Sequence, residues 1–239
     1  MYATKSNLQI AFEALDKSQR ESFPYTIYQC GQAFTVLNDV FSPKYLPACE
    51  LFAEKLPFKP RGSFLEVGTG IGVIAIMAAY AGVSRVVATD LSPSAVENTR
   101  QNIAMHGLSN VIDVRQGSIY EPLRPNEKFD LIFWNIPFLL VDPTVGLTRL
   151  QYAVADPGYR AADRFLGEGH RHLTPGEGRL MFGFSSTIGN FPILQQIASS
   201  YGIRLKLFHC EPNYLSQSAM HLEIFEACDR KQPKMNGQT

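Results

Sequence analysis

At 239 residues, 45% of them hydrophobic and 11% aromatic, the chain is long enough for one α/β domain with a small addition and too apolar to be mainly disordered. Its 22 Lys and Arg balance 22 Asp and Glu, so no sequence-wide field favours nucleic acid. The amino terminus lacks the basic start and apolar core of a signal peptide, and the most apolar run, 73–83, is too short and interrupted to span a bilayer. The expectation is a soluble, cytoplasmic protein with no membrane partner.

Leu8, Ala11, Phe12 and Leu15 recur at helical spacing and predict one short amphipathic helix. Aromatic and β-branched runs at 25–29 and 33–37, around Cys30-Gly31-Gln32, predict a hairpin. Phe41-Ser42-Pro43 then leads into a helix over 45–56, ended by Pro57 and Pro60. From Ser63 onward strands and helices alternate. A short apolar strand at 64–67 runs into a Gly-rich turn at 68–72 and a helix over 73–81, closed by Gly82. The second strand, 85–89, ends at Asp90. Ser92-Pro93 opens the next helix as a cap and first-turn proline, with Ser94-x-x-Glu97 as a competing capping box. Further strands fall at 111–115, 129–134 and 179–184, with helices over 159–173 and 192–200. Runs 203–208 and 219–227 form a closing antiparallel pair. Strand–helix alternation with near-continuous apolar strands implies a mostly parallel sheet covered on both faces. Such sheets bind ligands beyond the carboxyl ends of their strands, where the strand order reverses.

Three segments sit at those ends. Glu66-Val67-Gly68-Thr69-Gly70-Ile71-Gly72 has glycines spaced G-x-G-x-G, which let a ligand approach the backbone ahead of a helix N-terminus. The alternative is glycine for close packing. Asp90 lies 22 residues after Gly68, where an acid can accept both hydroxyls of a ribose; its alternative is a helix N-terminal charge. Asn135-Ile136-Pro137-Phe138 follows the strand ending at Trp134, and could otherwise be a loop-capping amide with a turn proline. Cys30, Cys49, Cys210 and Cys228 form no C-x-x-C pair and read as reduced thiols, and His170-x-His172 has no further ligand beside it, so no metal site is expected.

On these three motifs the chain resembles a class I S-adenosylmethionine-dependent methyltransferase. It is similar to the small methyltransferase domain of release-factor glutamine and ribosomal guanine methyltransferases. That family carries E/D-x-G-x-G-x-G, an acid ending the second strand, and N/D-P-P-Y/F after the fourth. The likeness spans roughly 41–227, and 31–43 looks like the family's hairpin lead-in. It implies a Rossmann-like, doubly wound α/β fold with a small N-terminal helix and hairpin extension. Residues 1–60 would then cover the pocket, 61–228 form the catalytic domain and 229–239 a frayed polar tail holding Lys231 and Lys234. The resemblance assigns S-adenosyl-L-methionine as cofactor, held by Glu66, Gly68, Thr69, Gly70, Gly72, Asp90, Leu91, Ser118, Ile119 and Asn135. It assigns Asn135, Pro137 and Phe138 to catalysis. Ile136 replaces the first proline of the family pattern, and Ser118 stands where an acid often meets the adenine amino group.

Sulfonium chemistry asks the protein to hold a nucleophile about 3 Å from the methyl carbon and to exclude water. Asn135 Oδ1 and the Ile136 carbonyl can each accept an acceptor N–H, and the Phe138 ring can stack on a planar acceptor or lie near the sulfonium. No His or Asp adjoins the motif as a strong base, which favours a nitrogen acceptor over a hydroxyl. The reading is an N-methyltransferase acting on a small molecule, an amino-acid-like group or a protein side chain, with an amine or amide as acceptor. An RNA base methyltransferase is one alternative, which the charge balance disfavours; residues 1–60 hold six basic and six acidic residues and make no basic arm. Attack at the aminocarboxypropyl carbon, releasing methylthioadenosine, is another. The loop 139–155 is expected to select substrate. The sequence leaves the oligomeric state open.

Overall fold

The computed structural model describes residues 5–212 and 220–229, with side chains from residue 7 onward. Helix α1 (Lys5–Ser18) buries Ala11 and Leu15. Strands β1 (Tyr25–Gln29) and β2 (Gln32–Val36) pair antiparallel around Cys30 and Gly31, both at positive φ. The hairpin lies on helix α4 (Pro93–Met105) and is held by two buried amides. Asn98 accepts from Leu37 N (2.9 Å) and donates to Thr35 O (2.7 Å). Asn102 accepts from Thr35 N (2.8 Å) and donates to Thr35 O (2.9 Å) and Ile71 O (2.8 Å).

Helix α2 spans Cys49–Lys55, four residues later at its start than the expected 45–56. Pro47 explains the delay: it has no N–H to give a helix and holds Leu46 out of the helical region. Next come β3 (Ser63–Val67), α3 (Val73–Tyr80) and β4 (Arg85–Asp90). Ser92 Oγ accepts from Ala95 N at 3.5 Å, so α4 begins at Pro93 and not at the competing box. Strands β5 (Ile112–Gln116) and β6 (Leu131–Asn135) follow. The expected strand 129–134 begins two residues later, and Phe129 instead bridges to Leu173.

The expected loop 139–155 is more ordered than foreseen. Its ends are strands β7 (Leu139–Val141) and β8 (Ala155–Pro157), paired parallel in a separate two-stranded sheet. Ala11 of α1 packs on Leu139, Val141 and Ala155. The expected helix 159–173 divides into α5 (Arg160–Gly169) and a 3-10 turn, His170–His172. The chain closes with β9 (Arg179–Phe184), α6 (Phe191–Ser200), β10 (Ile203–Glu211) and β11 (Leu222–Asp229). The expected beginning of the last strand at 219 lies outside the described residues, and so does the expected tail 229–239 apart from Asp229, which ends β11 through its pairing with Ile203.

The main sheet has the order β10-β11-β9-β6-β3-β4-β5. Neighbours from β9 to β5 run parallel, and β11 is antiparallel to both β9 and β10. Each face carries its own apolar cluster, one built on Phe52, Ile74 and Phe133, the other on Trp134, Phe165 and Phe182. From β3 the chain crosses first to β4 on one side and later to β6 on the other. The carboxyl ends of these strands therefore part around a crevice. Among the described residues no helix is long and apolar enough to cross a membrane.

Candidate functional site

A cavity of about 210 Å³ opens at that crevice. Its floor is the turn after β3, its sides the ends of β4, β5 and β6. Asp39, Val40, Phe41 and Pro43 close it from the N-terminal side, and Arg149, Leu150, Tyr152 and Asp156 from the β7–β8 segment.

The turn is built by opposed hydrogen bonds. Thr69 N donates to Thr89 O (3.0 Å), and Thr99 Oγ1 donates to Gly70 O (2.9 Å). Gly68, Gly70 and Gly72 all have positive φ. Only Gly68 and Gly70 line the cavity. A Cβ at Gly72 would lie 2.9 Å from the Thr99 methyl, so this glycine serves the packing of α3 on α4. Beneath the turn Glu66 is 3% exposed, and its Oε2 accepts from Thr69 Oγ1 (2.7 Å) and Ala75 N (3.0 Å). Burial pushes its carboxyl up to about 8 against those two donors.

Asp90 ends β4. Gly70 N donates to its Oδ2 (3.0 Å) and Ser92 N to its Oδ1 (2.9 Å). Each oxygen keeps a lone pair for a further donor. Burial raises this carboxyl too, opposed by backbone N–H groups. Beside it Leu91 is 51% exposed at the cavity rim. After β5, Ser118 and Ile119 face the same space. Ser118 Oγ accepts from Arg164 Nη1 at 3.4 Å and retains its own O–H as donor. Ile119 has φ 53°, a left-handed conformation rare for a β-branched residue and found where a site imposes it.

Asn135 and Pro137 line the cavity from the end of β6. Asn135 Oδ1 is buried and has no hydrogen-bond partner among the described residues. Gly183, opposite it on β9, makes room: a Cβ there would lie 3.0 Å from that oxygen and 2.6 Å from Phe52 Cζ. Phe138 does not line the cavity. Its ring meets Phe184 edge-on at 5.7 Å, and its carbonyl accepts from Tyr159 Oη at 2.6 Å.

Sequence reasoning passed over Trp134, Asp39 and Asp156 as site residues, and reached Arg149 only as part of the loop 139–155. Asp156 is 3% exposed, accepts from Ala161 N (3.1 Å) and Ala162 N (2.9 Å), and so caps α5 at the cavity wall. A short signal was present in Asp156-Pro157 ahead of a helix; Asp39 had none. The ionisable acids and bases lining the cavity, among the described residues, include Asp39, Glu66, Asp90 and Asp156 against Arg149. Away from it, Cys210, His221 and Glu223 bring their ligand atoms within 4.8 Å of one another. Glu223 Oε2 accepts from Ser186 N (2.7 Å) and its Oε1 from Ser186 Oγ (2.9 Å).

Residues 31–207 match the family model described as the methyltransferase small domain. The ribosomal protein L11 methyltransferase of Lactobacillus johnsonii is 43% identical over 86 residues, 36% of this chain and 26% of that protein. The release factor glutamine methyltransferase of Cereibacter sphaeroides is 30% identical over 171 residues, 66% of this chain and 59% of that protein. The chain thus spans between about a quarter and three-fifths of these relatives' length. Among solved structures, a T. thermophilus 16S rRNA methyltransferase in complex with AdoMet and guanosine superposes with a TM-score of 0.61 at 18% identity, covering 87% of this chain and 50% of that one. A ribosomal protein L11 methylase from Lactobacillus delbrueckii gives 0.56 at 20% identity, covering 80% and 82%. At such identities these two likenesses establish the fold alone.

Proposed function

The chain belongs to the methyltransferase small domain family, and from that premise we propose that it moves the methyl group of S-adenosylmethionine onto a nitrogen of an amine or amide acceptor. When bound, the cofactor supplies a positive sulfur and a methyl carbon open to in-line displacement. The cavity suits such a molecule: Asp39, Asp90 and Asp156 face a ligand that carries a sulfonium and an ammonium, with Glu66 beside them keeping its proton up to about pH 8, and Arg149 faces its single carboxylate. Asp90 offers one free lone pair on each oxygen to the ribose hydroxyls. Leu91 and Ile119 offer apolar surface to the adenine.

The observation that carries the nitrogen reading is the orphaned oxygen of Asn135. A buried acceptor without a donor costs about 1–3 kcal/mol. An acceptor N–H would remove that cost and turn the nitrogen lone pair toward the methyl carbon. The nitrogen would take the methyl as the sulfonium is released as a neutral thioether, and the proton that the nitrogen must then lose would pass to water or to a cavity carboxylate. The acceptor class favoured by the charge of the lining is a small molecule or a protein side chain, since phosphates would meet acids on most of the wall.

The test is a product assay with methyl-labelled S-adenosylmethionine against metabolite, protein and RNA fractions, following label and sulfur by-product together. S-adenosylhomocysteine with label on nitrogen is expected. Methylthioadenosine would mean attack at another sulfonium carbon. Asn135→Ala should lower turnover by about a hundredfold or more, a loss of positioning. Unchanged turnover would remove Asn135 from the acceptor site.

A further inference from the structure

Trp134 is the chain's single tryptophan and sits one residue before Asn135, at the end of the central strand β6. It lines the cavity although it is 9% exposed. Its indole edge lies against the Gly-rich turn: a Cβ on Gly68 would be 2.7 Å from Nε1 and 3.2 Å from Cδ1. Gly68 is thus glycine for the indole as much as for any ligand. The ring is pinned from behind by Phe165, edge-on at 5.5 Å, within the apolar cluster that also holds Ile119. The N–H is a donor only, and no hydrogen bond to it is formed by the described residues. A ring with an unspent donor therefore lies at the cavity wall, against the Gly-rich turn and in the same apolar cluster as Ile119, which lines the cavity after β5.

Resting on the cofactor assignment above, we infer that Trp134 walls the nucleoside half of the cofactor site and donates its indole N–H to the bound nucleoside. Aromatic surface against a planar base adds to apolar burial, and the N–H supplies a directional contact to a ring nitrogen or ribose oxygen. The methionine half of the cofactor, on the Arg149 side, would not touch it.

Because no other tryptophan is present, emission from the unmodified protein reads this one position. Calorimetry first measures S-adenosylhomocysteine and methylthioadenosine binding to the wild-type chain. Emission is then followed while each of these, or free methionine, is added. The expectation is a saturable change with both nucleosides, at the calorimetric midpoints, and none with methionine. Trp134→Phe should weaken both nucleosides by a similar factor of about 5–30, the worth of one hydrogen bond and some ring contact. Equal nucleoside affinities in Trp134→Phe would overturn the inference while leaving the cofactor assignment standing. So would an emission change with methionine alone. No calorimetric binding of S-adenosylhomocysteine to the wild-type chain would overturn both. Should Trp134→Phe fold poorly, the wild-type emission experiment decides by itself.

Discussion

Glu66 sits under the Gly-rich turn with a proton affinity unlike that of an ordinary carboxyl. Removal from water disfavours its charged form, and the nearby Asp90 adds to that effect, while the Thr69 hydroxyl and Ala75 N–H oppose it. The folded chain therefore holds this proton up to a pH of about 8, whereas the unfolded chain releases it near 4.5. Between those values the native state binds more protons than the unfolded one, so stability falls as pH rises. The contribution is fully present below about 4.5 and is lost on passing through about 8. Urea midpoints taken from pH 5 to pH 9 should decline, and Glu66→Gln, which keeps an acceptor for both donors and carries no charge, should flatten that decline. Equal slopes in the two proteins would show that Glu66 titrates in its ordinary range. Asn135 presents the opposite case: its cost lies in an unused acceptor, which pH does not relieve and a ligand can.

Among the elements, the hairpin and α4 form a unit whose middle is Asn102. One side chain ties both backbone groups of Thr35 to the carbonyl of Ile71, in the turn that floors the cavity. Asn102→Ala orphans two backbone groups, Thr35 N and Ile71 O, at about 1–3 kcal/mol each before relaxation, while Thr35 O keeps its donor from Asn98. The expected result is a lower melting temperature and faster hydrogen exchange at Thr35 and Leu37, with exchange in β6 unchanged. Protection retained at Thr35 would mean that the hairpin docks through its apolar side chains alone. The strand–turn–helix units from β3 to β5 were legible in the sequence because their signals are local: apolar runs, Gly-rich turns, a Ser-Pro cap. So were the positions of Asp90 and Asn135, which follow from strand ends. Other features depend on partners distant in sequence. The β7–β8 pairing joins two three-residue segments that no periodicity marks, and Ala11 of α1 completes their core. Asp39 reaches the cavity because the hairpin docks on α4, a contact 61–67 residues away along the chain. Phe138 belongs to a familiar tetrapeptide, yet Phe184 and Tyr159 draw it off the cavity wall.

At the scale of the molecule the charge is balanced both in total and where it gathers. The sheet edge at β5 carries a groove with Arg85, Arg100, Arg115 and Arg124, which by composition alone could be a phosphate track. Glu127 pairs with Arg85 (3.1 Å) and Arg115 (2.7 Å), and Asp113 with Arg115 (2.7 Å) and Arg124 (3.6 Å). Arg100 is spent on Val114 O at 3.1 Å. Arginines committed to carboxylates and carbonyls cannot release counterions from a nucleic acid without first breaking those contacts. Each phosphate neutralised on a single strand contributes about −0.7 to the slope of log affinity against log salt. A chain engaging five phosphates would lose roughly a hundredfold between 50 and 200 mM salt on that scaling. The proposed amine or amide acceptor predicts instead that kcat/KM for methyl transfer changes by less than about threefold over that range, with cofactor saturating. A steep fall, accompanied by retention of labelled RNA on the protein at low salt, would move the acceptor from protein and metabolite to RNA. It would also make the arginine groove at β5 the first place to substitute, with Arg100→Ala reducing the slope and leaving cofactor affinity in the cavity intact.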